Sequence, residues 1–99
     1  MVRRDLPLAQ QSVQAIHAAV ESSRRFPIPP SHDHPHLVLL SVADETELLE
    51  TCDKLRLRGV GHVSYREPDM GNEMTAIASG LIRGKDRNVF RKYDLFTGD

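Results

Sequence analysis

The chain has 99 residues, with 13 basic against 14 acidic side chains and 39% hydrophobic residues. That length holds one domain, residues 1–99, since domains commonly run to roughly 100–150 residues. A net charge of −1 excludes a globally basic nucleic-acid binder, so any RNA contact has to come from a local patch. The N-terminus opens with Val2-Arg3-Arg4, a short strand that carries charge but not the apolar stretch of a signal peptide. From Leu8 to Ser23, Ala9, Val13, Ile16 and Val20 recur at helical spacing, which predicts a helix with this stripe against the core. Four prolines and three histidines between Phe26 and His36 predict a loop. His36 to Val42 is continuously apolar and reads as a strand buried on both faces, as in parallel sheets. Asp44 and Glu47 form a capping box that opens a helix over 44–58, and Gly59 ends it. Its buried stripe is Leu48, Cys52 and Leu55. Gly61 to Arg66 reads as a strand, Pro68 to Gly71 as a turn, and Met74 to Ile82 as an inner strand. Asp86 to Phe96 is mixed and basic, fitting a short helix or an edge strand.

Strands alternating with helices predict an α/β layer fold with a largely parallel sheet, made mixed by its last two consecutive strands. Cys52 is the single cysteine, so no internal disulfide is expected, which fits a reducing, cytoplasmic compartment. No segment reaches the roughly 18–20 apolar residues of a membrane helix, and no membrane partner is expected.

Three groups of residues could carry chemistry. Gln10, Gln14, His17 and Glu21 lie in a second stripe beside the apolar one, within about 60° of each other on the helical wheel. Two amides, an imidazole and a carboxylate in line can orient a substrate along a groove edge, or can simply be a solvated flank. Arg66-Glu67-Pro68-Asp69-Met70-Gly71-Asn72-Glu73 follows a strand, where α/β sites assemble. Asp69 can act there as a general base or orient a water; the same residue types also form ordinary turns. Between Arg83 and Lys92, five basic residues stand against one acid, a net +4 that suits a phosphate backbone or a solvated surface. Arg3, Arg4, Arg24 and Arg25 add to the basic residues elsewhere. His32, His34 and His36 share a face if extended, but no acidic or cysteine partner arrives at metal-ligand spacing, so no metal site is expected.

Together these pieces resemble the type II peptidyl-tRNA hydrolases. The resemblance runs from Val2-Arg-Arg-Asp5 through Gln14-Ala-Ile-His-Ala-Ala-Val20, which is similar to the family's Gln-x-x-His-Ala-Ala helix. It continues over Leu37–Val42 and Asp44–Leu55, then Asp69-Met-Gly71, like the family's Asp-Ala-Gly, and Thr75-Ala-Ile-Ala-Ser-Gly80. It implies a three-layer α/β/α fold with a mixed four-stranded sheet, often dimeric. It also implies a hydrolase of translation that cleaves the ester between peptide and tRNA without a metal or other cofactor. On this resemblance Asp69, Thr75 and His17 would be the catalytic set. Gln10, Gln14 and Asn72, with Arg83, Lys85 and Arg87 toward the tRNA phosphates, would bind substrate.

The chain also departs from the family. The family's helix lysine is Gln10 here, Asp69 stands closer to Thr75, and the proline–histidine loop at 26–36 replaces the family's second helix. Glu67-Pro68 ahead of Asp69 is a further local difference. The chain and its first strand are short for the family, so either the start is truncated or internal, or an unusually short strand suffices. The alternative is therefore a catalytically inactive member that binds tRNA, a nucleotide or a protein partner; an enzyme on another small substrate is a third reading.

Overall fold

A computed structural model describes residues 1–31 and 35–98. The elements are β1 (Val2–Arg3), α1 (Leu8–Arg25), β2 (Leu40–Val42), α2 (Glu45–Leu57), β3 (His62–Glu67), β4 (Glu73–Ser79) and β5 (Asp94–Leu95). Short 3-10 turns cover Pro68–Met70 and Gly84–Phe90. Among the described residues the strands form a mixed five-stranded sheet in the order β3-β4-β1-β2-β5. β1 and β2 are parallel, and every other pairing is antiparallel. The sheet is thus mixed, as expected, but not largely parallel, and it has five strands rather than four. The fifth comes from Asp94–Leu95, so the 86–96 segment is both a helical turn and an edge strand.

The capping prediction for α2 holds in detail. The Asp44 carboxylate accepts from the Glu47 N–H at 3.0 Å, and the Glu47 carboxylate accepts from the Ala43 N–H at 3.0 Å. Leu48, Cys52 and Leu55 are buried against Val42, Met74 and Ile77.

The opposite holds for α1. Val13, Ile16 and Val20 are exposed, Ile16 by 63%. The buried residues of the helix are Gln11, Gln14, Ala18 and Ser22. The cause is the surface that α1 meets: β4 presents Ala76 and Ala78, and the contact with Val2 and Ala18 brings helix and sheet close together. A close approach favours small side chains and brings backbone carbonyls within reach of polar ones. Gln11 Nε2 donates to Leu6 O at 2.7 Å, and Ser22 Oγ donates to Ser79 O at 2.7 Å. Among the described residues no buried side-chain N or O atom lacks a partner, so the polar stripe is buried without the cost of bare donors.

The strand expected over 36–42 begins only at Leu40. β1 reaches β2 at Ser41 and Val42, and β5 reaches it at Leu40 and Ser41. Leu37 lies beyond these ladders and is 91% exposed. His32 and His34 fall outside the described residues.

Candidate active site

The first half of α1, the end of β3 and the Pro68–Met70 turn enclose an open cleft of about 500 Å³. Gln10, Gln14 and His17 line it from the helix, Glu67, Asp69 and Met70 line it from the turn, and Pro7 and Val13 close its rim. Helical spacing of 4 and 3 puts the three helix residues on one side, as the second stripe requires. Glu21 belongs to that stripe but does not line the cleft; it pairs with Arg24 at 3.3 Å.

Gln14 is the centre of the arrangement and is 1% exposed. Its Oε1 accepts from the Thr75 hydroxyl at 2.7 Å. Its Nε2 donates to Glu67 Oε2 at 2.9 Å and to Gln10 Oε1 at 3.2 Å. Thr75 is itself fully buried, so it lies behind Gln14 rather than facing a ligand. The register explains why it points there. Tyr65 pairs with Ala76 and Arg66 with Met74, leaving Thr75 as the extra residue of a bulge. A bulge breaks strand alternation and re-aims a side chain. Thr75 accordingly meets α1, although Met74 and Ile77 pack in the α2-side core.

The turn that carries Asp69 is held by its neighbours. Glu67 Oε1 accepts from the Asp69 N–H at 3.4 Å, and Glu67 O accepts from the Asn72 N–H at 3.0 Å. Gly71 (φ 64°) and Asn72 (φ 65°) take left-handed backbone in succession, which glycine and asparagine tolerate best. Asn72 therefore shapes the turn; it is exposed and does not line the cleft.

Two residues of the site had no role assigned from sequence: Glu67 stood only within the 66–73 turn group, and Tyr65 in no group. Glu67 joins Gln14 to the Asp69 turn, and the Gln14 amide, followed by the Asp69 N–H and His17, holds its carboxyl below the ordinary carboxylate range. Tyr65 stacks on His17, with ring centroids 4.4 Å apart and planes 4° from parallel. Burial and the Glu67 carboxylate push the Tyr65 hydroxyl upward. The available signal was strand alternation: Tyr65 and Glu67 are two apart on β3 and share a face.

The basic residues are elsewhere. Arg83 lines a depression of about 580 Å³ with Arg25, Phe26 and Asp86. That depression lies at the C-terminal end of α1, about 22 Å along the helix from Gln10 at 1.5 Å per residue. Lys85 and Arg87 are exposed in the same segment, and none of Arg83, Lys85 and Arg87 lines the cleft. Arg3 leaves the basic surface altogether. It is buried, bidentate to Asp5 at 2.9 and 2.8 Å, and bonded to Glu73 at 2.7 Å. Among the described residues no group of three or more His, Cys, Asp or Glu side chains is placed to hold a metal ion. No helix of the described residues is long and apolar enough to cross a membrane. No protein-family model and no curated protein matches this chain.

Proposed function

We propose that the cleft is the active site of a peptidyl-tRNA hydrolase-like enzyme, a cytoplasmic hydrolase acting on the ester between an acyl group and tRNA. The observation that carries the reading is the convergence of Asp69, His17 and Gln14, from a turn and a helix distant in sequence, on one cleft. Helices that pack on separate core clusters of a mixed sheet support the three-layer α/β/α arrangement of that family.

In this mechanism Asp69 orients a water and takes its proton as the water attacks the ester carbonyl. The proton then passes to the ribose oxygen as the C–O bond breaks, leaving a free hydroxyl and a carboxylic acid, which gives up its remaining proton to water. The developing oxyanion needs a donor. Gln14 has committed both N–H groups, to Glu67 and Gln10. Gln10 accepts through Oε1, so its own NH2 is the donor left for substrate. A neutral amide can serve as an oxyanion donor in place of a lysine. Thr75 acts through Gln14 as a positioning residue, and His17 with Tyr65 offers a flat surface for the terminal nucleotide. The basic segment at Arg83, Lys85 and Arg87 holds tRNA phosphates at the far end of the molecule. A second copy of the chain would cover Val13, Ile16 and Val20, which the helix leaves exposed on one face.

The test is hydrolysis of peptidyl-tRNA by the purified protein beside Asp69→Ala. Release of deacylated tRNA, lowered at least about 100-fold by the substitution, is the expected result. No release, or release that the substitution leaves unchanged, overturns the reading. One observation favours the second reading, an inactive tRNA-binding member: the cleft has no lysine or arginine among its lining residues. That reading predicts salt-sensitive RNA binding without turnover.

A further inference from the structure

The apolar stripe of α1 faces away from the sheet. At about 100° per residue, Ala9, Val13, Ile16 and Val20 centre about 180° from the buried Gln11, Gln14, Ala18 and Ser22, and all four are exposed. Their spacing of 4, 3 and 4 is that of a seam between two helices. On one flank of the seam Ser12 and Ala19 are small enough for a second backbone to come close. The other flank carries Gln10, His17 and Arg24, seven residues apart. That flank opens on the cleft: Gln10 and His17 line it, and Val13 stands both in the stripe and on the cleft rim.

The charges at the two ends of α1 set the direction of the pairing. The N-terminal end stands beside Glu67 and Asp69, and the C-terminal end carries Arg24 and Arg25. Two copies running the same way put like charges together at both ends. Reversed, each anionic cleft meets the cationic end of the other copy. The reversed pairing is also self-matching: Ala9 meets the partner's Val20 and Val13 meets the partner's Ile16, so every apolar side chain of the stripe is covered. A two-fold axis keeps like flanks on the same side, which puts the partner's Arg24 level with the start of α1. Helix side chains lean toward their own N-terminus, and for the partner's Arg24 that direction is toward Gln10. Within its own chain Arg24 holds only an exposed pair with Glu21 at 3.3 Å, a contact of little strength.

We propose that α1 pairs antiparallel with α1 of a second copy, and that the partner's Arg24 completes each cleft at its Pro7–Gln10 rim, holding the phosphate of the substrate's terminal nucleotide. The inference rests on the cleft being a tRNA-ester site and supplies the cation that its own lining lacks. A seam of 18 residues is about 27 Å long and falls at the low end of specific interfaces, below about 1,200 Å², so the dimer is reversible on dilution.

Sedimentation across a dilution series tests the pairing, with Ile16→Glu expected to remain a monomer throughout. Direction is read by oxidation of cysteine variants, with Cys52 buried and out of competition. Ala9→Cys mixed with Val20→Cys should form a disulfide, and neither alone should, because like positions lie about 16 Å apart in the reversed pair. The trinucleotide cytidyl-cytidyl-adenosine, titrated by NMR, reads the role of Arg24 without turnover. Arg24→Ala, still dimeric, should bind it about tenfold more weakly, and Arg24→Lys should recover part of the loss. Ile16→Glu should show the same loss, and adding Arg24→Ala to it should change nothing further. A monomer at every concentration, cross-linking of either variant alone, or a further loss on adding Arg24→Ala to Ile16→Glu overturns the inference. Ester turnover is measured separately. The dimer and its Arg24 effect without turnover of any ester sink the hydrolase reading alone. Turnover by Ile16→Glu with an unchanged KM sinks this inference alone.

Discussion

The two ends of α1 meet the sheet on different terms. At the N-terminal end the contact is polar and anionic: Gln14, Glu67 and Thr75 interlock beside Asp69. At the C-terminal end it is tight and basic. Phe26 lies against the backbone of Gly61 and Gly80, the Arg25 guanidinium sits 5.8 Å from its ring centroid, and Arg83 lines the same depression. A net charge of −1 sums these regions and describes neither. One helix can separate an anionic cleft from a cationic surface by about 22 Å, enough for the two ends of one polyanionic ligand to be treated differently.

Breaking the tight end should cost most. A Cβ on Gly80 would fall 2.8 Å from Phe26 Cβ, an atom too near the backbone to swing away. Gly80→Ala is expected to destabilise by about 1–3 kcal/mol in denaturant unfolding, and Phe26→Ala in the same chain, which keeps Cβ but removes the Cγ that the new methyl would meet at 2.9 Å, should recover part of it. Gly61→Ala should cost less, since its Cβ would meet only the outer edge of the ring. At the polar end, Thr75→Val strips Gln14 Oε1 of its 2.7 Å donor in a fully buried place. The expected loss is about 1–3 kcal/mol, with ligand affinity reduced through a misplaced Gln14.

A smaller effect belongs to the polar end alone and appears with pH. Glu67 is lowered chiefly by the Gln14 amide, and Asp5 chiefly by its bond to Arg3. Both contributions are complete above the unfolded carboxyl range near pH ~4 and vanish as pH falls through the lower folded values. Stability should therefore hold from neutral pH to about 5 and decline below it, more gently in Glu67→Gln. The smallest effect concerns the exposed stripe. Ile16→Glu should leave monomer stability within about 0.5 kcal/mol while lowering any self-association measured by light scattering.

The two helices also differ in how legible they were. α2 was readable because its signals are local: a capping box, a single apolar stripe and a terminal glycine all fall between Asp44 and Gly59. The face of α1 was not, because periodicity records where apolar residues recur, not what they meet. Ala76 and Ala78 on β4 select the small and amide side chains of α1, and that choice depends on contacts some 60 residues apart. The cleft shows the same division. The polar stripe and the Asp69 turn were legible as separate candidates, and their meeting follows from topology. Thr75 was legible as a residue but not in its role, since a bulge in register turned it behind Gln14. The basic segment was legible as charge, while its distance from the cleft was not.

The central claim is that one end of the molecule performs chemistry and the other holds the nucleic acid. Steady-state hydrolysis of peptidyl-tRNA tests it most directly, with Asp69→Ala and the triple variant Arg83→Ala, Lys85→Ala and Arg87→Ala measured beside the unaltered chain. The account predicts that Asp69→Ala lowers kcat by about 100-fold or more, and that the triple variant raises KM and flattens its salt dependence. Absence of turnover in the unaltered protein, or Asp69→Ala acting on KM alone, would contradict it.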